Sequence, residues 1–210
     1  MNGLKRVGIL LVISVFFIVL GESFAPGEIQ SRSIVLGLGV DVSPNDNDRL
    51  MLTAEVVSPG NGNEQVGIFT KTVTVEGKSL GEAVGAIAEK TGKEPSLGQC
   101  GVLLVGSSLY ETRDFTDVVE FFVQSDGFNE NAVPCCTSNA RELMNKSAAL
   151  GQSVSITLVE ALRDQAKKIA LPTNSLLRYA RSQAELSQTG YLNFVEFTPS
   201  ENSDEQSEGK

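Results

Sequence analysis

Hydrophobic and polar residues alternate along the first part of the chain in a way that predicts β-strands. Within residues 33–42, four aliphatic side chains recur at every second position and would share one face of a strand: Ile34, Leu36, Leu38 and Val40. Residues 49–57 repeat the pattern, and residues 43–48 between them are rich in residue types that favour turns. The two strands are therefore predicted to pair as an antiparallel hairpin, and residues 66–75, rich in Val and Thr, to form a third strand.

The spacing of apolar residues then changes to that of helices. Ser79 and Glu82 stand three apart, as the two members of a capping box do, and Gly92 is a typical helix end. The apolar stripe between them consists of Leu80, Ala83, Val84, Ile87 and Ala88. A second amphipathic stretch begins at Phe115, and short apolar segments that predict buried strands occupy residues 100–105 and 131–136.

This order of elements predicts an α/β fold. Strand-helix-strand connections imply parallel pairing through crossovers, whereas the early hairpin adds antiparallel pairs. We therefore predict a mixed β-sheet with an N-terminal antiparallel hairpin, βαβ-type crossovers and helices packed on the sheet.

The N-terminus has the pattern of a sorting segment. Lys5 and Arg6 precede an uncharged apolar run over residues 7–20. As a helix this run would rise about 21 Å, which is short of the ~30 Å hydrocarbon core of a bilayer. Residues 1–25 are therefore predicted to be a signal or membrane-anchor segment of an exported protein.

The rest of the chain divides into three predicted parts. Residues 28–145 carry the α/β pattern, and residues 146–198 are predicted to form a helical extension towards a missing second domain. Residues 199–210 contain four acidic and no apolar side chains, which predicts a disordered acidic tail.

Composition excludes several classes of function. The formal net charge is −9, and an acidic surface repels phosphate backbones, so we expect no nucleic-acid partner. The chain contains no His, which excludes Ser-His-Asp and Cys-His nucleophiles and imidazole metal ligands. We therefore expect no enzymatic activity and assign no catalytic residue.

Three short motifs have a structural interpretation that is simpler than a chemical one. Gly37 and Gly39 lie inside a predicted strand without the rest of a dinucleotide-binding loop, so they are expected to permit close packing or a bulge. The Gly-Lys-Ser tripeptide at residues 77–79 lacks the earlier glycine of a phosphate-binding loop, and a helix cap explains it. Asp46 and Asp48 lack the spacing of an EF-hand and suit a solvated turn. We accordingly expect no metal site and no cofactor.

The cysteines leave two interpretations open. Cys100, Cys135 and Cys136 follow no CxxC spacing, so zinc and thioredoxin-like sites are not expected. In an exported protein Cys100 could form a disulfide with Cys135 or with Cys136. The favoured alternative is that all three are small apolar strand residues.

After the sorting segment, several short sequence motifs follow one another in a fixed order. The pair Glu28-Ile29 precedes a strand with a Gly-Leu-Gly-Val-Asp core, and the next strand ends at Ser58 and Pro59. This arrangement resembles the start of the Ger(x)C proteins, the C subunits of bacterial spore germinant receptors. The helix opening at residues 77–83 is similar to the family's G-K-T/S-x-x-E-A segment.

The resemblance extends over about residues 28–180. Residues 97–109 are similar to a family strand, with Gln99 where the family usually has His. The family carries a lipid on a Cys at a Leu-x-Gly-Cys-like site, but residues 19–23 read Val-Leu-Gly-Glu-Ser, so no lipidation is expected there. Full-length members continue into further domains, so the chain is interpreted as a truncated N-terminal domain.

The resemblance implies a role without bond chemistry. It implies an exported, membrane-associated module at the outer face of the spore inner membrane. Integral-membrane germinant receptor subunits would be its partners, and it would act in spore germination by assembly or signal coupling. Arg178 and Arg181, on the outer side of a predicted helix, are the candidate interaction surface. The alternative is a secreted or surface small-ligand-binding domain, with a pocket between the sheet edge and the loop at residues 58–65.

Overall fold

The computed structural model describes residues 13–14, 32–58, 69–110, 114–149, 153–169, 175–184 and 192–196. Its strands are β1 (Arg32–Val42), β2 (Leu50–Ser58), β3 (Phe69–Gly77), β4 (Glu94–Ser96), β5 (Val102–Gly106), β6 (Val133–Thr137) and β7 (Asn193–Phe194). They form one sheet with the order β3-β2-β1-β5-β6-β7, and β4 pairs with β1. The predicted segments 1–25 and 199–210 fall, apart from Ile13 and Ser14, outside the described residues.

The sheet combines both kinds of strand pairing. β1 pairs antiparallel with β2, and β2 with β3, which is the predicted hairpin and third strand. β5 lies parallel to β1, β6 to β5, and β7 to β6. The predicted fold class, a mixed sheet with an antiparallel hairpin and crossover connections, is confirmed.

Helices cover both faces of this sheet. They are α1 (Leu80–Thr91), α2 (Ser107–Tyr110), α3 (Asp114–Gln124), α4 (Ala140–Ala149), α5 (Val154–Ile169) and α6 (Leu176–Ala184). Successive residues of a strand point to opposite faces. Accordingly Leu103 and Val105 join a core cluster with α1, α3 and α6, whereas Val102 and Leu104 join a second cluster with α4 and α5. We call the side of the sheet covered by α1, α3 and α6 the first face and the side covered by α4 and α5 the second face.

Helix α1 begins and ends as its sequence predicts. Ser79 is the N-cap and accepts a hydrogen bond from the Glu82 backbone N–H, while the Glu82 carboxylate accepts one from the Lys78 N–H at 2.9 Å. Gly92 ends the helix with a φ of 70°, the left-handed conformation that glycine adopts without strain. The two caps therefore fix the ends of α1, and its buried residues Leu80, Ala83 and Ile87 show which side meets the first face.

One detail of β1 differs from the predicted alternation. The register with β2 shifts between Val35 and Gly37, so β1 contains a β-bulge at Leu36. The bulge places Val35, rather than Ile34 or Leu36, in the first-face cluster with Leu38 and Val40. The Leu36 carbonyl is turned to β5 and accepts a hydrogen bond from the Gly101 N–H at 2.8 Å.

The segment predicted as an extension packs against the same sheet. The described residues from Ser33 onward belong to one compact unit. Leu162 of α5 is buried in the second-face cluster, Leu176 of α6 in the first-face cluster, and β7 pairs with β6. Both helical stripes therefore bury apolar side chains on this sheet, and the boundary at residue 145 stays a prediction.

Candidate functional site

Asp41, at the end of β1, holds the first turn of α4. Its two carboxylate oxygens accept hydrogen bonds from the backbone N–H groups of Ala140 at 3.0 Å and Arg141 at 2.9 Å. The Asn139 side chain caps the same turn by accepting from the Glu142 N–H at 2.8 Å. Burial raises the pKa of the Asp41 carboxyl from its ordinary value of 3.8, while the two hydrogen bonds and the Arg141 charge act against this rise.

Glycines on the neighbouring strands leave room for this junction. A Cβ atom at Gly106 would lie 2.0 Å from an Asp41 carboxylate oxygen, and one at Gly39 would lie 3.0 Å from the Ala140 Cβ. A side chain at Gly106 would therefore collide with the Asp41 carboxylate, and one at Gly39 would collide with α4. The prediction that the Gly37-Leu38-Gly39 glycines permit close packing is confirmed.

Glu55, on β2, makes the corresponding contact with α5. Its side chain is only 1% exposed, and one oxygen, Oε2, accepts hydrogen bonds from the Ser155 N–H at 3.0 Å and the Ser155 hydroxyl at 2.5 Å. A Cβ at Gly37 would lie 2.0 Å from that hydroxyl. Among the described residues, the other oxygen, Oε1, is buried without a hydrogen-bond partner.

Asp41, Glu55 and Ser155 are the residues that sequence reasoning missed. Asp41 and Glu55 lie on the sides of β1 and β2 opposite to the apolar stripes, where the alternation predicts outward-facing residues, so the pattern gave no signal that they are buried. The pattern could not show that each carboxylate meets a helix N-terminus, because Glu55 and Ser155 are 100 residues apart. In chemical terms both carboxylates fasten helices to the sheet.

A polar cleft opens at the carboxyl ends of β6 and β7. Its volume is about 220 Å³, and it is lined by Thr137, Ser138, Asn139, Glu142, Leu143, Lys146 and Glu196. The Ser138 hydroxyl donates a hydrogen bond to Glu196, and Lys146 pairs with Glu142 at 2.6 Å. Two of the three charged side chains that line the cleft, Glu142 and Lys146, thus pair with each other.

The candidate interaction residues lie on a different surface. Arg178 and Arg181 are both exposed on α6, as expected. α6 packs beside α3 through an edge-to-face contact of Phe115 with Tyr179, whose ring centroids are 5.5 Å apart. The outer side of α3 exposes acidic residues, among them Glu120. The α3–α6 surface therefore presents acidic and basic side chains on adjacent helices.

The structure places the candidate disulfide residues apart. Cys100 belongs to the first-face cluster and Cys135 to the second-face cluster, and all three cysteines are buried free thiols. Burial raises the pKa of Cys100 and of Cys135 to about 12. Their surroundings are those of small apolar residues, the alternative that the sequence favoured.

Two further findings concern the described residues only. No group of three or more His, Cys, Asp or Glu side chains is placed there to hold a metal ion, and the turn with Asp46 and Asp48 is exposed. None of the helices in the same residues has the length and apolarity that crossing a membrane requires.

The fold and these contacts can be set beside known proteins. Residues 27–196 match the family model described as the spore germination protein N-terminal domain, and the chain belongs to that family. The resemblance to the N-terminal domain of germinant receptor C subunits is thereby confirmed. No solved structure gives a significant match.

A curated protein of another kind shares a shorter stretch. The type 3 secretion system ATPase of Xanthomonas euvesicatoria is 32% identical over 91 residues, which cover 42% of this chain and 19% of that protein. The chain therefore spans less than a fifth of that relative, and the similarity assigns it no activity.

Proposed function

We propose that this protein is a non-enzymatic module of a spore nutrient germinant receptor. It associates with integral-membrane receptor subunits and acts by assembly or signal coupling at the outer face of the spore inner membrane. The observation that carries the proposal is the family match over residues 27–196, which includes all elements from β1 to β7. The buried carboxylates support it, because they are engaged in holding helices.

The α3–α6 surface is the proposed docking site for a receptor subunit. Arg178 and Arg181 are exposed one turn apart on α6, and Asp117 and Glu120 are exposed one turn apart on α3. The packing of Phe115 on Tyr179 fixes the two helices relative to each other. A partner with a complementary pattern of charges would be bound in one orientation, because like charges oppose the alternatives.

Charge reversal tests this surface. Arg178→Glu and Arg181→Glu should leave the midpoint of unfolding nearly unchanged, since exposed substitutions usually alter stability by less than about 0.5 kcal/mol. Both should reduce co-purification with the membrane subunits. Arg163→Glu, at an exposed position of α5 on the second face, is the matched control and should retain the partner.

Two outcomes would contradict the proposal. If the unaltered chain fails to co-purify with any membrane receptor subunit, the receptor function itself fails. If it co-purifies and every folded α3–α6 variant does so equally well, the receptor function stands and the proposed surface is wrong.

Membrane association without a lipid is a separate part of the proposal. The sequence around residues 19–23 has no Cys, and an apolar run precedes it. The protein should therefore fractionate with membranes and incorporate no labelled palmitate. Palmitate incorporation, or recovery of all the protein in the soluble fraction, contradicts this part.

The polar cleft supports a second candidate, a small-ligand-binding domain, although the pocket predicted for it beside the loop at residues 58–65 lies, apart from Ser58, outside the described residues. The cleft of about 220 Å³ lies at the carboxyl ends of parallel strands, where α/β folds commonly bind ligands. It is smaller than the roughly 300–1,000 Å³ of most ligand pockets, and two of its three charged side chains, Glu142 and Lys146, pair with each other. A thermal-shift screen of small polar compounds, repeated with Glu196→Gln, would favour this function if a compound stabilises only the unaltered protein.

A further inference from the structure

The two helical layers differ in how they are attached to the sheet. The first-face cluster contains four buried aromatic residues: Phe115, Phe122, Phe128 and Tyr179. Among the described residues, the buried part of the second-face cluster has no aromatic side chain and is smaller. Because attachment strengthens with the apolar area buried, the layer formed by α4 and α5 is held less strongly by apolar contacts.

The second face is also polar beneath part of this layer. Thr53 of β2 is fully buried there and its hydroxyl lies 3.1 Å from that of Thr74 on β3. The neighbouring Thr72 hydroxyl donates a hydrogen bond to the Asn145 side chain of α4 at 2.8 Å. Over β2 and β3 the layer therefore rests on hydroxyl groups, which could make comparable hydrogen bonds with water if the layer opened.

Glu55 weakens the same attachment. Its carboxylate is buried under α5, where Oε2 accepts two hydrogen bonds and Oε1 accepts none from the described residues. Among the described residues nothing replaces the hydration that Oε1 loses on burial, and opening would restore that hydration. The contact thus positions α5 and at the same time favours its release.

We propose that α4 and α5 open from the sheet together, ahead of the rest of the domain, and that Glu55 makes this layer the weak one. Opening exposes the hydroxyl-lined second face of the hairpin and the apolar side chains of β5 and β6. The domain then has two discrete states with different surfaces, which a module that couples a signal requires. Opening belongs to the domain itself, so its test is independent of any receptor partner.

The three cysteines are natural reporters of this motion. Cys135 lies under α4 and α5, whereas Cys100 is buried with the first-face layer. Cys136 is the next residue of β6, points to the opposite face from Cys135 and is 7% exposed. In the closed state Cys100 and Cys135 are almost completely buried, and burial raises the pKa of each thiol to about 12, so alkylation of these two thiols reports opening.

The experiment is thiol alkylation of the purified full chain under native conditions, with each cysteine followed by peptide mass spectrometry. Cys135 should be alkylated at least about tenfold faster than Cys100, because a local opening is more populated than global unfolding. Glu55→Gln should change the Cys135 rate and leave the Cys136 rate as it is, which distinguishes opening of the layer from fraying of β6.

Substitutions at the contact test the role of Glu55. Glu55→Gln retains an acceptor for both Ser155 donors and removes the buried charge, so it should slow Cys135 alkylation by about tenfold and leave Cys100 unchanged. Glu160→Gln, at an exposed position of α5, is the matched control and should change neither rate. Ser155→Ala removes one hydrogen-bond donor to the carboxylate and should speed alkylation of Cys135 but not of Cys100. This second variant keeps the test possible if Glu55→Gln does not fold.

Three results would overturn the proposal. Equal rates at Cys135 and Cys100 in the unaltered protein would show that only global unfolding exposes Cys135. An equal change of the Cys135 and Cys136 rates in Glu55→Gln would assign the exposure to β6. Faster alkylation of Cys135 in Glu55→Gln, or equal acceleration of Cys135 and Cys100 in Ser155→Ala, would show that the carboxylate simply stabilises the closed fold.

Discussion

Asp41 is the residue on which the junction between β1, β5 and α4 depends. Its oxygens satisfy two N–H groups in the first turn of α4, which would otherwise be buried without acceptors. Gly106 provides the space for the carboxylate, since any side chain there would collide with it. One acidic residue and one glycine thus determine where α4 begins on the sheet.

Removing this carboxylate should destabilise the fold. Asp41→Ala leaves the Ala140 and Arg141 N–H groups without acceptors, and we expect a loss of about 2–4 kcal/mol in the free energy of unfolding, measured by urea denaturation. Asp117→Ala on the exposed side of α3 is the control and should change stability by less than about 0.5 kcal/mol. Equal small effects at the two positions would contradict the assigned role of Asp41.

The same carboxyl predicts a dependence of stability on pH. Burial raises its folded-state pKa above the ordinary value of 3.8, so the folded protein holds this proton more tightly than the unfolded chain does. The resulting stabilisation is fully present below pH 3.8 and is lost as the pH rises through the folded-state pKa. In urea titrations from acidic to neutral pH, the stability difference between the unaltered protein and Asp41→Ala should therefore shrink. A difference that grows with pH would mean that the accepted hydrogen bonds outweigh burial.

Sequence reasoning at this scale identified small residues better than buried acids. The glycines of β1 were predicted to allow close packing, because a glycine inside a strand has few other uses. The partners of Asp41 and Glu55 lie about a hundred positions further along the chain, so no local pattern contained them. The burial of both acids is a product of tertiary packing.

In helix α1 the sequence pattern predicts the position of the helix more accurately than how deeply each side chain is buried. The capping box and Gly92 gave its ends, and the stripe gave its inner side. Of that stripe, Leu80, Ala83 and Ile87 are buried, whereas Val84 is only partly buried at its margin. In β1 the bulge at Leu36 likewise changed which residues face inward, because alternation assumes an uninterrupted register.

This difference in depth predicts a difference in stability. Ile87→Ala should cost about 2–5 kcal/mol, because it leaves a cavity under α1. Val84→Ala should cost about 1 kcal/mol, since solvent already reaches that side chain. Chemical denaturation of both variants measures these losses in the free energy of unfolding. Equal losses would mean that Val84 is as deeply packed as Ile87.

At the scale of the whole molecule, the fold depends on segments from both ends of the described chain. β1 is central and pairs with β2 and β5, while α5, α6 and β7 complete both faces and one edge of the sheet. The amphipathic patterns of α5 and α6 were visible in the sequence. Their positions on the sheet were not, because a helical stripe does not identify the surface that it covers. Residues 146–198 were for this reason assigned to an extension.

A chain that ends at residue 145 should therefore fail to fold cooperatively. It would lack Leu162 and Leu176 from the two clusters, Tyr179 against Phe115, and Ser155 as the partner of the buried Glu55. A chain that ends at residue 198 retains all these contacts and is the matched control. Urea denaturation followed by circular dichroism should give a sigmoidal transition for the longer chain and a gradual change for the shorter one. A cooperative transition with the same midpoint in both would show that residues 28–145 form an independent domain and that α5, α6 and β7 only pack on its surface.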